Sequence, residues 1–594
     1  MVSLGLWLAD ISVAFDPAWI TIVICGLPLL WLAVTRLIYQ RWVSSALLIV
    51  VAMFACIYIG ELFAAGEVAF IMALGALLED YAVARAKRGV NKLLSLAPDE
   101  TRLIDGQEAR MVSAKDITVG NVVRVLPGEK ITVDGEVVAG STSIDQSIIT
   151  GESLPIDKTV GDSVFCGTMN CYGSVDIRAT KAGEDTSLKK MIRMVQEAEA
   201  NKAPMQRIVD KWAAWLVFIA LCIAIAAYLI TGNLERAVTV LVVFCPCALA
   251  LATPVSIIAG IGQATKYGVL IKSGEALETM GRITSIAFDK TGTLTRGELS
   301  VSDVVIFNSN YQKEDIINIA AVCESRSEHP LGKAIVAANK SKEDIEAVDF
   351  TMTPGKGVCA KVEGKQAVCG KRDYLVENGI CLSNDVQQSL EKLSGEGKAS
   401  VVVGYDGQCI GLIALSDVLR PEARSVMGEL SEMGIETVVL TGDNRHAAEY
   451  MAKKLGISQY RAELLPADKV SAISTLQQEG KTICMVGDGV NDAPALKTAA
   501  VSVAMGSMGS DIAIETADIA LMGDDLCRLP YLKRLSNAVV FSIKFNITLS
   551  MVINFIAITL SVLGLLNPVT GALVHNVGSV LVVLNASLLY DRKI

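Results

Sequence analysis

Asp289-Lys290-Thr291-Gly292-Thr293-Leu294-Thr295 follows a short apolar run, residues 283–288, that reads as a buried parallel strand. An Asp at the carboxyl end of such a strand sits where open α/β sheets place their chemistry. A carboxylate there can act as a covalent nucleophile toward phosphorus. Lys290 offers charge, Thr291 and Thr293 offer hydroxyls, and Gly292 lets the backbone come close to a phosphate. A lone Asp after a strand would be a polar turn; the whole heptad points to phosphoryl chemistry.

Working outward, Thr441-Gly442-Asp443-Asn444 follows an expected strand at 437–440. Gly487-Asp488-Gly489-Val490-Asn491-Asp492-Ala493-Pro494 follows another at 482–486. Asp488 and Asp492 supply hard oxygen ligands of the kind Mg²⁺ takes, with substrate phosphate completing its shell. Lys469, in Pro466-Ala467-Asp468-Lys469, can place positive charge on a transferring phosphoryl group. Strand-like and helix-like runs alternate around these motifs, as in a doubly wound sheet. Residues 301–409 read as a separate α+β module inserted into it. That module carries Ser327-Glu328-His329-Pro330 and Gly355-Lys356-Gly357.

The chain has 594 residues, too many for one core, and is 52% hydrophobic. Its mean hydropathy of +0.46 is high for a soluble protein. The surplus lies in long runs at 19–39, 43–63, 68–85, 212–231, 237–261, 539–565 and 569–590, each near the roughly 20 residues a bilayer requires. Basic residues flank these runs on one side, from Arg85, Lys87 and Arg88 to Arg592 and Lys593, and mark that side as cytosolic. The turns 60–66 and 566–571 hold no Lys or Arg and belong outside. Residues 1–15 are apolar but too short to span. By this sidedness they read as the outer half of a helix begun in the cytosol, with an interfacial segment as the alternative. The net charge of −10 argues against a nucleic-acid partner, and the 14 scattered Cys suggest reduced thiols rather than a disulfide framework.

Residues 89–205 are rich in Val, Ile, Thr and Gly and read as mostly β. They carry Thr150-Gly151-Glu152-Ser153. A carboxylate such as Glu152 can orient a water for in-line attack on phosphorus. In the fifth run, Cys245-Pro246-Cys247 puts two soft ligands beside a proline that frees backbone carbonyls.

In this order, the motifs resemble those of P-type ATPases over essentially the whole chain. The resemblance implies a polytopic α-helical membrane protein with a β-rich actuator domain (89–205). It also implies a haloacid-dehalogenase-like α/β phosphorylation domain (263–300 and 410–530) and an inserted α+β nucleotide-binding domain (301–409). Helices at 1–88, 206–262 and 531–594 would cross the plasma membrane. Asp289 would be phosphorylated by ATP. Asp289, Thr291, Asp488 and Asp492 would form the Mg²⁺ region, and Thr441, Gly442 and Lys469 would bind the phosphoryl group. Asp417, in Ser416-Asp417-Val418-Leu419-Arg420-Pro421, matches a further family position nearby. Glu152 would serve phosphoenzyme hydrolysis, and His329, Gly355 and Gly357 would bind ATP.

Cys245 and Cys247 resemble the ligand pair of the heavy-metal (type IB) branch, whose members export Cu⁺ or Zn²⁺/Cd²⁺-like ions from the cytosol. The last two spans are a hybrid. Zn²⁺/Cd²⁺ exporters usually carry Lys and Asp where Asn554 and Asn576 align. Cu⁺ exporters share the Asn at 554 but carry Met where His575 stands. Two thiolates balance a divalent ion and overcompensate Cu⁺, which is costly in a bilayer. Imidazole also suits borderline divalent metals. The expectation is therefore a divalent ion (Zn²⁺, Cd²⁺, Mn²⁺ or Co²⁺), with Cu⁺ as the alternative. Glu67 and Glu79 are weaker pathway candidates. The expected partners are the transition-metal ion, ATP and the bilayer, with a cytosolic metal chaperone as a further candidate. A phosphatase core on a membrane anchor is the competing class; it would not need Cys-Pro-Cys.

Overall fold

The structure, a computed structural model, describes residues 16–39, 45–86, 98, 100–105, 108–146, 155–200, 203–244, 247–340, 347–489, 492–506, 516–523 and 525–593. The Thr150–Ser153 motif, with Glu152, and Cys245 lie outside the described residues, as do the side chains of Cys247 and Glu79. The chain divides into two compact units, Met1–Arg282 with Tyr531–Ile594, and Ile283–Pro530.

In the first unit the membrane helices, numbered separately from those of the soluble domains, begin with α1 (Leu27–Tyr39), α2 (Ser45–Ile59) and α3 (Leu62–Ala86). The second and third apolar runs meet in a tighter corner than the sequence suggested. The chain turns at Gly60, whose φ of +91° is open to glycine, and α3 starts at Leu62. Ala64, Ala65, Val68 and Ala69 are buried on its first turns, so packing extends the helix beyond the purely apolar run.

Among the described residues, nine short strands follow. β1 (Glu100–Asp105), β2 (Glu108–Ser113), β3 (Val122–Val125), β4 (Asp134–Ala139), β7 (Ser163–Val164) and β9 (Val175–Lys181) form an antiparallel sheet ordered β2-β1-β3-β9-β4-β7. β5 (Thr142–Asp145), β6 (Ile156–Lys158) and β8 (Met169–Tyr172) form a smaller one. Alternating Val and Ile side chains, among them Val123, Val125, Val137 and Ile177, close its core.

The chain then enters α4 (Pro204–Thr231), α5 (Leu234–Val243) and α6 (Cys247–Lys266). α5 leaves helical geometry at Phe244, its C-cap, immediately before the Cys-Pro-Cys motif in sequence, and α6 is described from Cys247 onward. Strand β10 (Val269–Ile271) and the helix Gly274–Arg282 close this part of the chain.

In the second unit, β11 (Ser285–Asp289), β18 (Glu436–Leu440), β19 (Gln459–Arg461), β20 (Ile483–Gly487), β21 (Val501–Gly506) and β22 (Ile519–Met522) run parallel in the order β22-β21-β20-β11-β18-β19. Every residue of β11 is buried, as expected of a strand covered on both faces. An antiparallel sheet ordered β12-β17-β16-β15-β14-β13 is built from β12 (Thr295–Ile306), β13 (Val348–Thr353), β14 (Gly357–Val362), β15 (Lys365–Gly370), β16 (Ala399–Tyr405) and β17 (Gln408–Leu419). β12 and β17 pair from Thr295↔Leu419 to Ile306↔Gly411. This ribbon runs through the limits expected at 301 and 409, because backbone pairing of β12 with β17 continues past them.

The chain ends in α7 (Arg528–Val562) and α8 (Pro568–Ser587). Asn567 caps α8, accepting from Thr570 N at 2.8 Å, a device that contributes about 1 kcal/mol. Among the described residues five helical stretches are long and apolar enough to cross a membrane, and shorter apolar helices at Leu47–Ile59 and Leu62–Leu78 cover the second and third runs.

Candidate functional site

Asp289 ends β11, in register with Leu440 of β18, so parallel pairing places the Thr441–Asn444 loop beside it. Lys469, on the helix Pro466–Gln478, reaches the same point. Its Nζ donates to Asp289 Oδ1 at 2.6 Å and to Asp492 Oδ1 at 2.7 Å. All three residues are less than 10% exposed. Burial works against the charge of Lys469, yet the two carboxylates outweigh it and hold the ammonium above its ordinary value. Burial, and then the adjacent Asp492 carboxylate, push Asp289 up despite Lys469.

Gly292 has a φ of +71°, and a Cβ there would lie 3.0 Å from Asp488 Oδ2. The loop after Asp289 thus folds directly over the Asp488 carboxylate. Thr291 is exposed beside it. Asp492 Oδ2 is buried without a hydrogen-bond partner among the described residues. An orphaned carboxylate oxygen at this point is the chemistry Mg²⁺ takes, although Asp289, Asp488 and Asp492 do not themselves gather into a metal-holding cluster among the described residues. Thr441 is 2% exposed, and its Oγ1 accepts from Asp443 N at 3.1 Å. Gly442 leaves open space, the nearest atom to an added Cβ being Leu464 O at 3.4 Å.

The contacts of Lys290, Asp417 and Arg420 were not legible from the sequence, although Asp417 was expected near this site. Lys290 Nζ is 2.5 Å from Asp443 Oδ2, which ties the heptad to the Thr441–Asn444 loop. Asp417 Oδ2 accepts from Thr295 Oγ1 at 2.5 Å, and Arg420, three residues further along the same motif, caps the loop itself. Its Nε donates to Thr293 O at 2.9 Å and its Nη2 to Gly292 O at 3.2 Å. The signal was present: Arg420 stands in the same quoted hexapeptide as Asp417.

His329, Gly355 and Gly357 line one cleft of about 340 Å³, with Glu324, Ser327, Lys356 and Lys371. His329 caps the helix Pro330–Ala338, its Nδ1 accepting from Leu331 N at 3.2 Å. The cap fixes the ring and leaves Nε2 as its other polar atom. Gly355 has a φ of +75°. Gly357 is required for another reason: a Cβ there would lie 2.3 Å from Cys369 O of β15. Burial pushes the Glu324 carboxyl up, against Ser327 and His329.

In the membrane, His575 is 4% exposed on α8. Its Nε2 is 3.4 Å from Ser579 Oγ. Asn576 Nδ2 donates to Ile71 O of α3 at 2.6 Å. Asn554 is buried on α7, 8% exposed. Among the described residues no group of three or more His, Cys, Asp or Glu gathers to hold a metal; the motif thiols lie outside them. At the end of α3 expected to face outward, Glu67 lines a cavity of about 430 Å³ with Glu61 and Glu235.

The haloacid dehalogenase-like hydrolase family matches residues 283–500, and the P-type ATPase actuator domain family matches residues 95–196. A probable cadmium-transporting ATPase of Staphylococcus aureus (strain MRSA252) is 38% identical over 92% of this chain and 77% of its own length. A copper-exporting P-type ATPase of Bacillus subtilis (strain 168) is 41% identical over 88% of this chain and 66% of its own. A crystal structure of a zinc-transporting PIB-type ATPase in an E2.Pi state superposes with a TM-score of 0.65 at 30% identity, covering 99% of this chain and 97% of that one. The sheet that presents Asp289, the β-rich insert and the apolar helices agree with these relatives throughout, and the chain belongs to the heavy-metal (type IB) P-type ATPases.

Proposed function

We propose that the protein exports a divalent transition-metal ion, of the Zn²⁺/Cd²⁺ or Mn²⁺/Co²⁺ kind, from the cytosol across the plasma membrane, driven by ATP through an aspartyl-phosphate. The observation that carries this reading is the Lys469 bridge between Asp289 and Asp492 at the end of β11. It holds a carboxylate nucleophile at the carboxyl end of a central strand, beside a cation that can take up charge from phosphate. An Asp289 oxygen attacks the terminal phosphorus of ATP, the bond to the bridging oxygen breaks, and ADP leaves. Lys469 and Thr441 bind the transferred group. Arg420 fixes the Gly292–Thr293 carbonyls so that Asp289 keeps its approach. Mg²⁺, held by Asp289, Asp488, Asp492 and the Thr291 region, would offset phosphate charge when bound. His329, Gly355 and Gly357 seat the nucleotide. Glu152 positions the water that later cleaves the acyl-phosphate.

The metal is read from the membrane. The thiols of Cys245 and Cys247, as thiolates, balance the charge of a divalent ion, and His575, buried on α8, offers an imidazole donor. Asn554 is a further candidate ligand, whereas the carboxamide of Asn576, also expected at the ion from the sequence, is engaged by α3. The cadmium-transporting relatives and the zinc-transporting structure support this choice. Cu⁺ is the second reading, favoured by Asn554 and by the copper-exporting relatives. The test is ATPase activity of the purified, reduced protein against a panel of metals. Stimulation by a divalent ion supports the reading; stimulation by Cu⁺ with silence from every divalent ion overturns the choice of metal. A phosphatase core would hydrolyse phosphate esters without any metal dependence of this kind.

A further inference from the structure

Asn576 makes a contact that the proposed chemistry does not use. Its Nδ2 meets the Ile71 carbonyl of α3 at 2.6 Å. One turn along α3, Gly75 leaves the notch that Asn576 fills: a Cβ there would lie 2.3 Å from its Oδ1 and 2.8 Å from its Cγ. Both polar atoms of the carboxamide are therefore directed at α3. Small residues permit such close helix approach in a membrane, and a side-chain amide then adds a directional bond.

The same stretch of α8 touches the other helices of the ion site. Gly571 packs against α5, where a Cβ would meet Val243 at 2.8 Å and Thr239 at 3.2 Å. Gly578 packs against Ile553 of α7, at 3.2 Å. Gly571 lies one turn before His575, the immediate neighbour of Asn576, on the same helix. This stretch of α8 thus joins the end of α5 to α3. Along the chain, α3 is the helix that precedes the actuator strands, which begin at Glu100.

We propose that Asn576 is a positioning residue: seated in the Gly75 notch, it passes the state of the ion site to the helix that leads into the actuator domain, rather than ligating the ion. This rests on the metal-export reading above. A shift of α8 on metal binding or release would be carried to α3 through a bond that a ligand role would have to break.

The test uses the full-length protein with Asn576→Ala, Gly75→Ala and Asn576→Asp. Three quantities are read for the metal that drives the wild type: half-saturating concentration, maximal turnover and rate of phosphoenzyme decay. For Asn576→Ala and Gly75→Ala, turnover and decay should fall about five- to tenfold, while half-saturation stays within about twofold. Asn576→Asp keeps the shape but loses the donor, and should show the same split if Gly75→Ala fails to assemble. A ligand role would raise half-saturation in Asn576→Ala by more than about tenfold and leave Gly75→Ala silent, which overturns the proposal. Unchanged kinetics with a lowered melting temperature would reduce the contact to packing and also overturn it. A wild type with no metal-stimulated turnover would overturn the export reading, and this one with it; a responsive wild type confines any failure to Asn576.

Discussion

The phosphorylation centre and the membrane site solve opposite problems with opposite materials. At the end of β11, three charged side chains are buried together, and one lysine satisfies two carboxylates. Around the helix break, the described polar residues are neutral: His575, Asn576, Ser579 and Asn554, brought close by Gly75, Gly571 and Gly578. A phosphoryl group carries charge that must be met at a fixed geometry, and parallel strand ends supply rigid positions for it. An ion that must enter and leave hydrocarbon is better met by neutral donors, with compensating charge confined to the two thiols. The first centre is held by electrostatics, the second by close packing.

Substitutions that remove charge from the first centre should have the largest effects. Asp289→Asn should abolish acid-stable, hydroxylamine-sensitive labelling from γ-labelled ATP, a loss of about three orders of magnitude or more, because an amide is not a nucleophile. Persistent labelling would remove Asp289 from its role. Lys469→Met leaves Asp289 and Asp492 as unpaired buried neighbours, and rapid-quench phosphorylation should slow about a hundredfold or more. A near-normal rate would mean that the bridge is structural only.

Smaller effects are expected where a group shapes the site without bearing its charge. Arg420→Ala removes the donors to Gly292 and Thr293 and should slow phosphorylation about tenfold, equivalent to the 1–3 kcal/mol of an uncapped buried carbonyl. His329→Ala should raise the ATP concentration for half-maximal labelling about tenfold and leave labelling from inorganic phosphate intact. Equal loss of both would contradict a nucleotide-only role. In the membrane, His575→Met should alter selectivity more than rate. Divalent stimulation should fall and any Cu⁺ response rise, by about tenfold in their ratio. An unchanged metal profile would leave His575 with packing alone.

The two regions also differed in how much their residues disclosed. The motifs around Asp289 fall at strand ends, so linear order already predicted which loops would meet; the pairing of Asp289 with Leu440 brings the Thr441 loop to it. His329, Gly355 and Gly357 likewise share a cleft, one through a cap and one through a backbone approach that excludes any Cβ. Arg420 and Lys290 were legible as residues but not as contacts, since their partners are backbone carbonyls and a loop carboxylate far away in the chain. In the membrane, composition located the helices but not their neighbours. Nothing in a run of apolar residues says that Gly75 faces Asn576, because helix pairing depends on rotation about each axis. The early start of α3 was missed for a related reason: Ala64 and Ala65 are weakly apolar as sequence but fully useful as packing surface.

The most direct test of the account is metal-dependent phosphoenzyme formation by the purified, reduced, full-length protein, measured with γ-labelled ATP and Zn²⁺, Cd²⁺, Mn²⁺, Co²⁺ or Cu⁺ in turn. The account predicts labelling that rises with at least one divalent ion, is weaker with Cu⁺, and vanishes in Asp289→Asn. Labelling that rises with Cu⁺ alone, or that ignores every metal, would contradict it.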